Sequence, residues 1–178
     1  MQDNGGTINM ANLQRSITHS IKFLQDMKIN SIAITDIITT YADLIDSYDK
    51  DMESYGGNVR YQTSKFRKDY QECLDTFDTD YNLFKESMTE IIQYKNDPDV
   101  IYYTQQFKNF GNYYKDYKEK ILDKKIEKIE SKKETYMRQE DYVRAIAYNA
   151  ILTKAKEVQS MIETIIKKMD TLLGKKRR

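Results

Sequence analysis

The chain has 178 residues, about one domain's worth, with 32% charged residues, six glycines, one proline and a formal net charge of +1. No stretch approaches the roughly 20 consecutive apolar residues that a membrane-spanning helix needs, and so little glycine and proline leaves almost nothing to interrupt helices. One histidine and one cysteine exclude the usual zinc ligand sets, the Glu-x-x-His pairs of di-iron bundles and an internal disulfide.

The first 30 residues have no charged-then-apolar leader, with Arg15, Lys22 and Lys28 as their basic groups. With the single Cys73, this makes the expected setting intracellular, cytoplasmic rather than secreted. Tyrosine is abundant, 15 against six phenylalanines and no tryptophan. Lysine, isoleucine, asparagine and aspartate share its A/T-rich codons, so base composition accounts for the excess as readily as function does. Charge is distributed unevenly, at −8 over residues 36–99 and +8 over residues 100–178. The two regions either neutralise one another across antiparallel helices or give the molecule an acidic and a basic end.

Residues 1–6 are polar and glycine-containing, with no reason to fold alone. From Leu13 to Tyr55 an apolar or small residue recurs at spacings of four and three: Leu13, Ile17, Ser20, Leu24, Met27, Ser31, Ile34, Ile38, Tyr41, Ile45, Tyr48, Met52 and Tyr55. This pattern predicts a first helix of roughly 65 Å, capped by Thr7 or Asn12 and loosest around Lys28–Ser31, that packs along its whole length. Gly56-Gly57-Asn58 is the expected stop. A second helix follows over Val59–Lys95, with Phe66, Tyr70, Cys73, Phe77, Tyr81, Phe84, Met88 and Ile91 as its core face and a stutter after Cys73.

Asn96-Asp97-Pro98-Asp99 has the grammar of a helix start. The third helix is predicted from Pro98 to about Arg138, with a face of Tyr103, Phe107, Phe110, Tyr114, Tyr117 and Ile121. That face then shifts to Leu122, Ile126, Ile129 and Tyr136. At Gln139–Asp141 the rod either turns, with Asp141 capping a fourth helix, or continues. Glu140–Ala147 resembles the turn of the helical hairpins of the UvrB/UvrC family and of tetratricopeptide repeats. Those eight residues imply a hairpin and nothing about activity. The last helix carries Ile151, Ala155, Val158, Ile162, Ile165, Met169 and Leu172, and ends at Gly174 before a basic tail, 174–178. The expected fold class is thus all-α: one domain over 1–178, an elongated antiparallel helical bundle or coiled coil of three to four long helices.

No glycine-rich phosphate loop, nucleophile elbow or metal motif is present. Asp75–Asn82 resembles an EF-hand calcium loop, but its sixth and twelfth positions are Leu83 and Thr89 when counted from Asp78. No catalytic residue, cofactor or metal site is therefore expected. Two stretches carry binding chemistry. Tyr113, Lys115 and Lys118 interleave an aromatic ring with cations in the manner that stacks bases and holds phosphates. Lys167, Lys168, Lys175, Lys176, Arg177 and Arg178 form a basic end suited to lipid, nucleic acid or protein, or simply to a helix C-terminus. The reading that follows is a non-enzymatic structural or assembly subunit that binds protein partners, or itself, through its helices. A BAR-like membrane-surface module and a nucleic-acid-coating protein are the alternatives.

Overall fold

The computed structural model describes residues 5–174, with side chains from residue 11 onward. All regular structure among these residues is helical: α1 (Gly5–Ser47), α2 (Tyr55–Gln93), α3 (Pro98–Tyr102), α4 (Thr104–Asp116), a π-helical segment (Tyr117–Leu122), α5 (Asp123–Arg138) and α6 (Tyr142–Leu172). The protein is an all-α helical bundle. No described helix is long and apolar enough to cross a membrane.

α1 buries the anticipated seam from Leu13 to Ile45, including Ser20 and Ser31. It runs unbroken through Lys28–Ser31 and already includes Asn12, so that residue is not its cap; the side chain of Thr7 lies outside the described residues. The helix ends at Ser47, eight residues before the seam does. Asp43, Asp46, Asp49, Asp51 and Glu53 would all crowd the C-terminal end of a longer helix, where the peptide dipoles already point negative. The chain turns instead, and the Asp49 carboxylate accepts the amide of Asp51 at 2.9 Å. Gly56 and Gly57 therefore open α2 rather than close α1. Neither has a positive φ.

α2 buries Phe66, Tyr70, Leu74, Phe77, Tyr81, Phe84, Met88 and Ile91. The step of two fours falls at Phe66–Tyr70–Leu74, two turns earlier than expected. It puts Leu74 in the seam and leaves Cys73 only half-buried beside it, where burial pushes the thiol pKa upward. Asp97 caps α3 by accepting the Asp99 amide at 2.9 Å, with Pro98 in the first turn. Tyr103 then separates α3 from α4.

The register shift of the third rod has a structural form. Tyr117 and Leu122 are both buried although five residues apart, while Ile121 is 43% exposed. A wide π turn absorbs the extra residue and keeps both halves of the rod facing the core. At the next connection Glu140 adopts φ 58°. The Asp141 amide donates to the Tyr136 carbonyl at 2.8 Å and the Glu140 amide to the Met137 carbonyl at 3.1 Å. These two bonds make a Schellman ending with a non-glycine residue in the left-handed position. Asp141 then caps α6 by accepting the Arg144 amide at 3.2 Å. All seven expected seam residues of α6 are buried.

Successive rods alternate in direction. α1 packs along α2, α2 also along α6, and α6 along α4 and α5. Short connections had implied that each rod lies beside the next. α2 and α4, joined through α3, depart from this, because the second long neighbour of α2 is α6. That pair runs in the same direction: Tyr55 meets Asp141 and Tyr70 meets Lys154.

Left-handed backbone costs a residue with a Cβ about 1 kcal/mol. Glu140→Gly is accordingly expected to raise the unfolding free energy by up to about 1 kcal/mol, less glycine's extra unfolded-state entropy. Urea denaturation of the two proteins side by side measures this.

Candidate docking face

The rods are joined by tyrosine hydroxyls. From the third rod, Tyr114 donates to the Leu24 carbonyl of α1. Tyr117 shares a bond with the Thr35 hydroxyl at 2.8 Å and donates to the Ser31 carbonyl at 3.1 Å. Tyr113 meets the Ser31 hydroxyl at 3.3 Å, and Tyr136 bonds the Asp46 carboxylate. From α6, Tyr148 donates to the Ala42 carbonyl at 2.9 Å. Tyr41 joins α1 to Asp69 of α2. Tyr70 donates to the Lys154 carbonyl at 2.8 Å, and Tyr55 to the Asp141 carboxylate at 2.5 Å, both linking α2 to α6. The small Ser31 and Thr35 on α1 leave the space that the rings of the third rod occupy.

Along the seam between α1 and the third rod this bonding leaves two grooves. One lies between α1 and α4, lined by Gln25, Lys28 and Ile29 on one side and Gln106, Phe110 and Tyr113 on the other. The second, between α1 and α5, has Ile38, Ala42, Ile129 and Tyr148 at its floor and Lys125, Lys128 and Lys132 at its rim. Lys132 pairs with Asp46 at 2.7 Å, a contact that joins the acidic and basic regions of the sequence.

Beside the first groove, the outer surface of α1 carries two exposed isoleucines. Ile29 is 67% and Ile32 52% exposed, with Gln25, Asp36 and Thr40 exposed along the same ridge. Sequence reasoning had followed the inner seam of α1 and passed over this ridge. Its signal is the run Ile29–Ile45, which holds two charged residues, Asp36 and Asp43, whereas α5 holds ten in sixteen. Both charges fall on exposed positions of the run, alongside the exposed Ile29, Ile32, Thr40 and Leu44.

The anticipated binding residues take different places. Tyr113 packs against the parallel ring of Tyr117, with centroids 6.3 Å apart, and the Lys28 ammonium lies 4.5 Å from its centroid. Lys115 pairs with the buried Asp170 at 2.8 Å, and Lys118 with Asp123 at 2.9 Å. All three are thus engaged within the bundle. Lys167 is exposed and Lys168 half-buried on the last turns of α6; Lys175, Lys176, Arg177 and Arg178 lie outside the described residues. Asp75, Asp78 and Asp80, the calcium-like stretch, ride on α2 rather than in a loop. No three His, Cys, Asp or Glu side chains gather as metal ligands among the described residues. His19 is exposed and tilts against Phe23, with ring centroids 5.9 Å apart. Comparison of the chain with protein-family models, curated proteins and solved structures gives no match.

Burial, reinforced by the bond to Asp69, pushes the Tyr41 phenol up to about 12, and burial raises Tyr117 to about 12 against the opposing pull of its Thr35 bond. Burial also raises Tyr55, Tyr70, Tyr114 and Tyr148. Between pH 10, where an ordinary tyrosine titrates, and about 12 the folded chain therefore holds protons that the unfolded chain releases. Stability contributed by these phenols is full below pH 10 and falls as pH rises towards 12. Alkaline titration is expected to show tyrosinate absorbance of the buried rings appearing together with loss of helical circular dichroism, not before it. Tyr114→Phe, which removes only the hydroxyl, is expected to cost about 1 kcal/mol in urea denaturation. Tyr114→Ala, which also empties the ring site, is expected to cost about 3–5 kcal/mol.

Proposed function

We propose that this chain is a non-enzymatic assembly subunit that acts by packing its long helices against partner chains. The observation that carries this reading is the outer face of α1, where Ile29 and Ile32 stand in water beside the Phe110–Tyr113 groove. Leaving two isoleucines of this size exposed forgoes about 1.5–3 kcal/mol each relative to burial. A partner helix laid along the ridge recovers that energy. The bundle itself suits such a role: a rod about 65 Å long, from the 43 residues of α1, presents a long and regular surface. Its core is continuous from end to end, so that surface is rigid before a partner arrives.

Light scattering combined with small-angle X-ray scattering tests the reading. The expected result is an elongated particle whose mass exceeds the 21.2 kDa of one chain and rises with concentration. A chain that remains a single copy at every concentration overturns it.

A further inference from the structure

The ridge of α1 has a symmetry of its own. Ile32 is exposed at its centre, Lys28 stands four residues before it and Asp36 four residues after, both also exposed. An antiparallel helix laid with its own Ile32 against this one brings each Lys28 opposite the other's Asp36. It also sets Gln25 against the Thr39–Thr40 stretch and places Ile32 on Ile32 at the centre, with the two Ile29 residues flanking that pair. The ridge thus complements itself under a two-fold axis and does not complement itself in the parallel direction, where Lys28 meets Lys28 and Asp36 meets Asp36. In this register the groove lined by Gln25, Lys28, Phe110 and Tyr113 faces residues 35–39 of the second copy's α1, and Ile29 of each copy lies level with the other's Thr35. An isologous contact requires the same patch on both copies to be self-complementary, which the Lys28 and Asp36 positions about Ile32 supply. We infer that the partner of the α1 face is a second copy of this chain, bound antiparallel with the two-fold axis passing near Ile32.

The inference rests on the assembly reading and adds to it the partner, the direction and the register. Charge fixes the direction. Exposed ion pairs are individually weak, but the two-fold axis repeats each pair, and the parallel alternative puts like charges together instead.

Three measurements on the full-length chain test it. Light scattering is expected to give about twice 21.2 kDa for the wild type, and a single-chain mass for the double variant Ile29→Glu/Ile32→Glu with unchanged helical circular dichroism, since neither side chain belongs to the core. In a Cys73→Ser background, Ile32→Cys is expected to form a disulfide-linked dimer on mild oxidation, because a residue on a two-fold axis meets itself. Ile121→Cys, on the exposed side of the third rod, is expected to form no disulfide-linked dimer under the same oxidation. Finally, Lys28→Glu and Asp36→Lys are each expected to raise the dimer dissociation constant about tenfold, and the two changes together to restore it. A dimer that survives the isoleucine changes without Ile32→Cys cross-linking overturns this inference while the assembly reading stands. Restoration failing in the charge-swapped pair overturns the register and direction. A wild-type chain that never exceeds one copy overturns both the inference and the reading beneath it.

Discussion

A tyrosine in this bundle does two things at once: its ring fills the space between rods, and its hydroxyl ends on a polar atom of the facing helix. The ring supplies the large apolar area of an aromatic residue. The hydroxyl, once buried, requires a partner or it costs a further 1–3 kcal/mol. Tyr114 reaches the carbonyl of Leu24, Tyr148 that of Ala42 and Tyr70 that of Lys154. Sliding a rod by one turn would separate these groups by about 5 Å. Hydrophobic seams alone tolerate such slips, because one leucine replaces another. A row of buried phenols does not, and the register of all four rods follows from it. The tyrosine excess thereby has a structural use, whatever base composition contributed.

The same bonding explains why the α1 face exists in the form it does. Where α1 meets the third rod, long rings hold the helices together through their tips, and Ser31 and Thr35 keep the α1 side low enough to admit them. Helices bridged this way leave grooves at the surface that close packing of short aliphatic side chains would fill. On one side of the upper groove stand Phe110 and Tyr113; on the other stands Ile29. The bare ridge and its adjoining slot are therefore by-products of how the core is built.

Much of the fold could be read from residue spacing. The seam of α1 as far as Ile45, the seam of α6, the Asp97–Pro98 start and the role of Asp141 all follow from local rules, and the structure bears them out; beyond Ile45, Tyr48 is half-buried and Met52 is exposed. Where local reasoning failed, a competing local effect had decided. Clustered carboxylates ended α1 at Ser47 before Gly56 and Gly57 were reached. Cys73 and Leu74 are adjacent, so a half-residue difference in phase chose between them. The Ile121–Leu122 ambiguity was visible as a register shift, but only the backbone could show that a π turn absorbs it. The tyrosine partners were illegible for a different reason: each depends on which helix lies opposite, and the pairing of α2 with α6 has no signature in either segment. The outer ridge of α1 was legible in principle. An apolar run with two charges in seventeen residues, Ile29–Ile45, holds more isoleucine than one seam can bury.

The direction shared by α2 and α6 has a kinetic consequence. The α1–α2 hairpin closes through nearby residues, as does the hairpin of α5 and α6. Their union depends on contacts such as Tyr55 with Asp141, 86 positions apart, which no hairpin can supply. Contacts so distant in sequence form late and slowly. During synthesis the first hairpin is complete while α6 is still untranslated, and Tyr55 and Tyr70, whose hydroxyls end on Asp141 and on the Lys154 carbonyl, then wait in solvent for the helix that receives them. The emerging chain is consequently stickiest in the interval after α2 has been made and before α6 follows it.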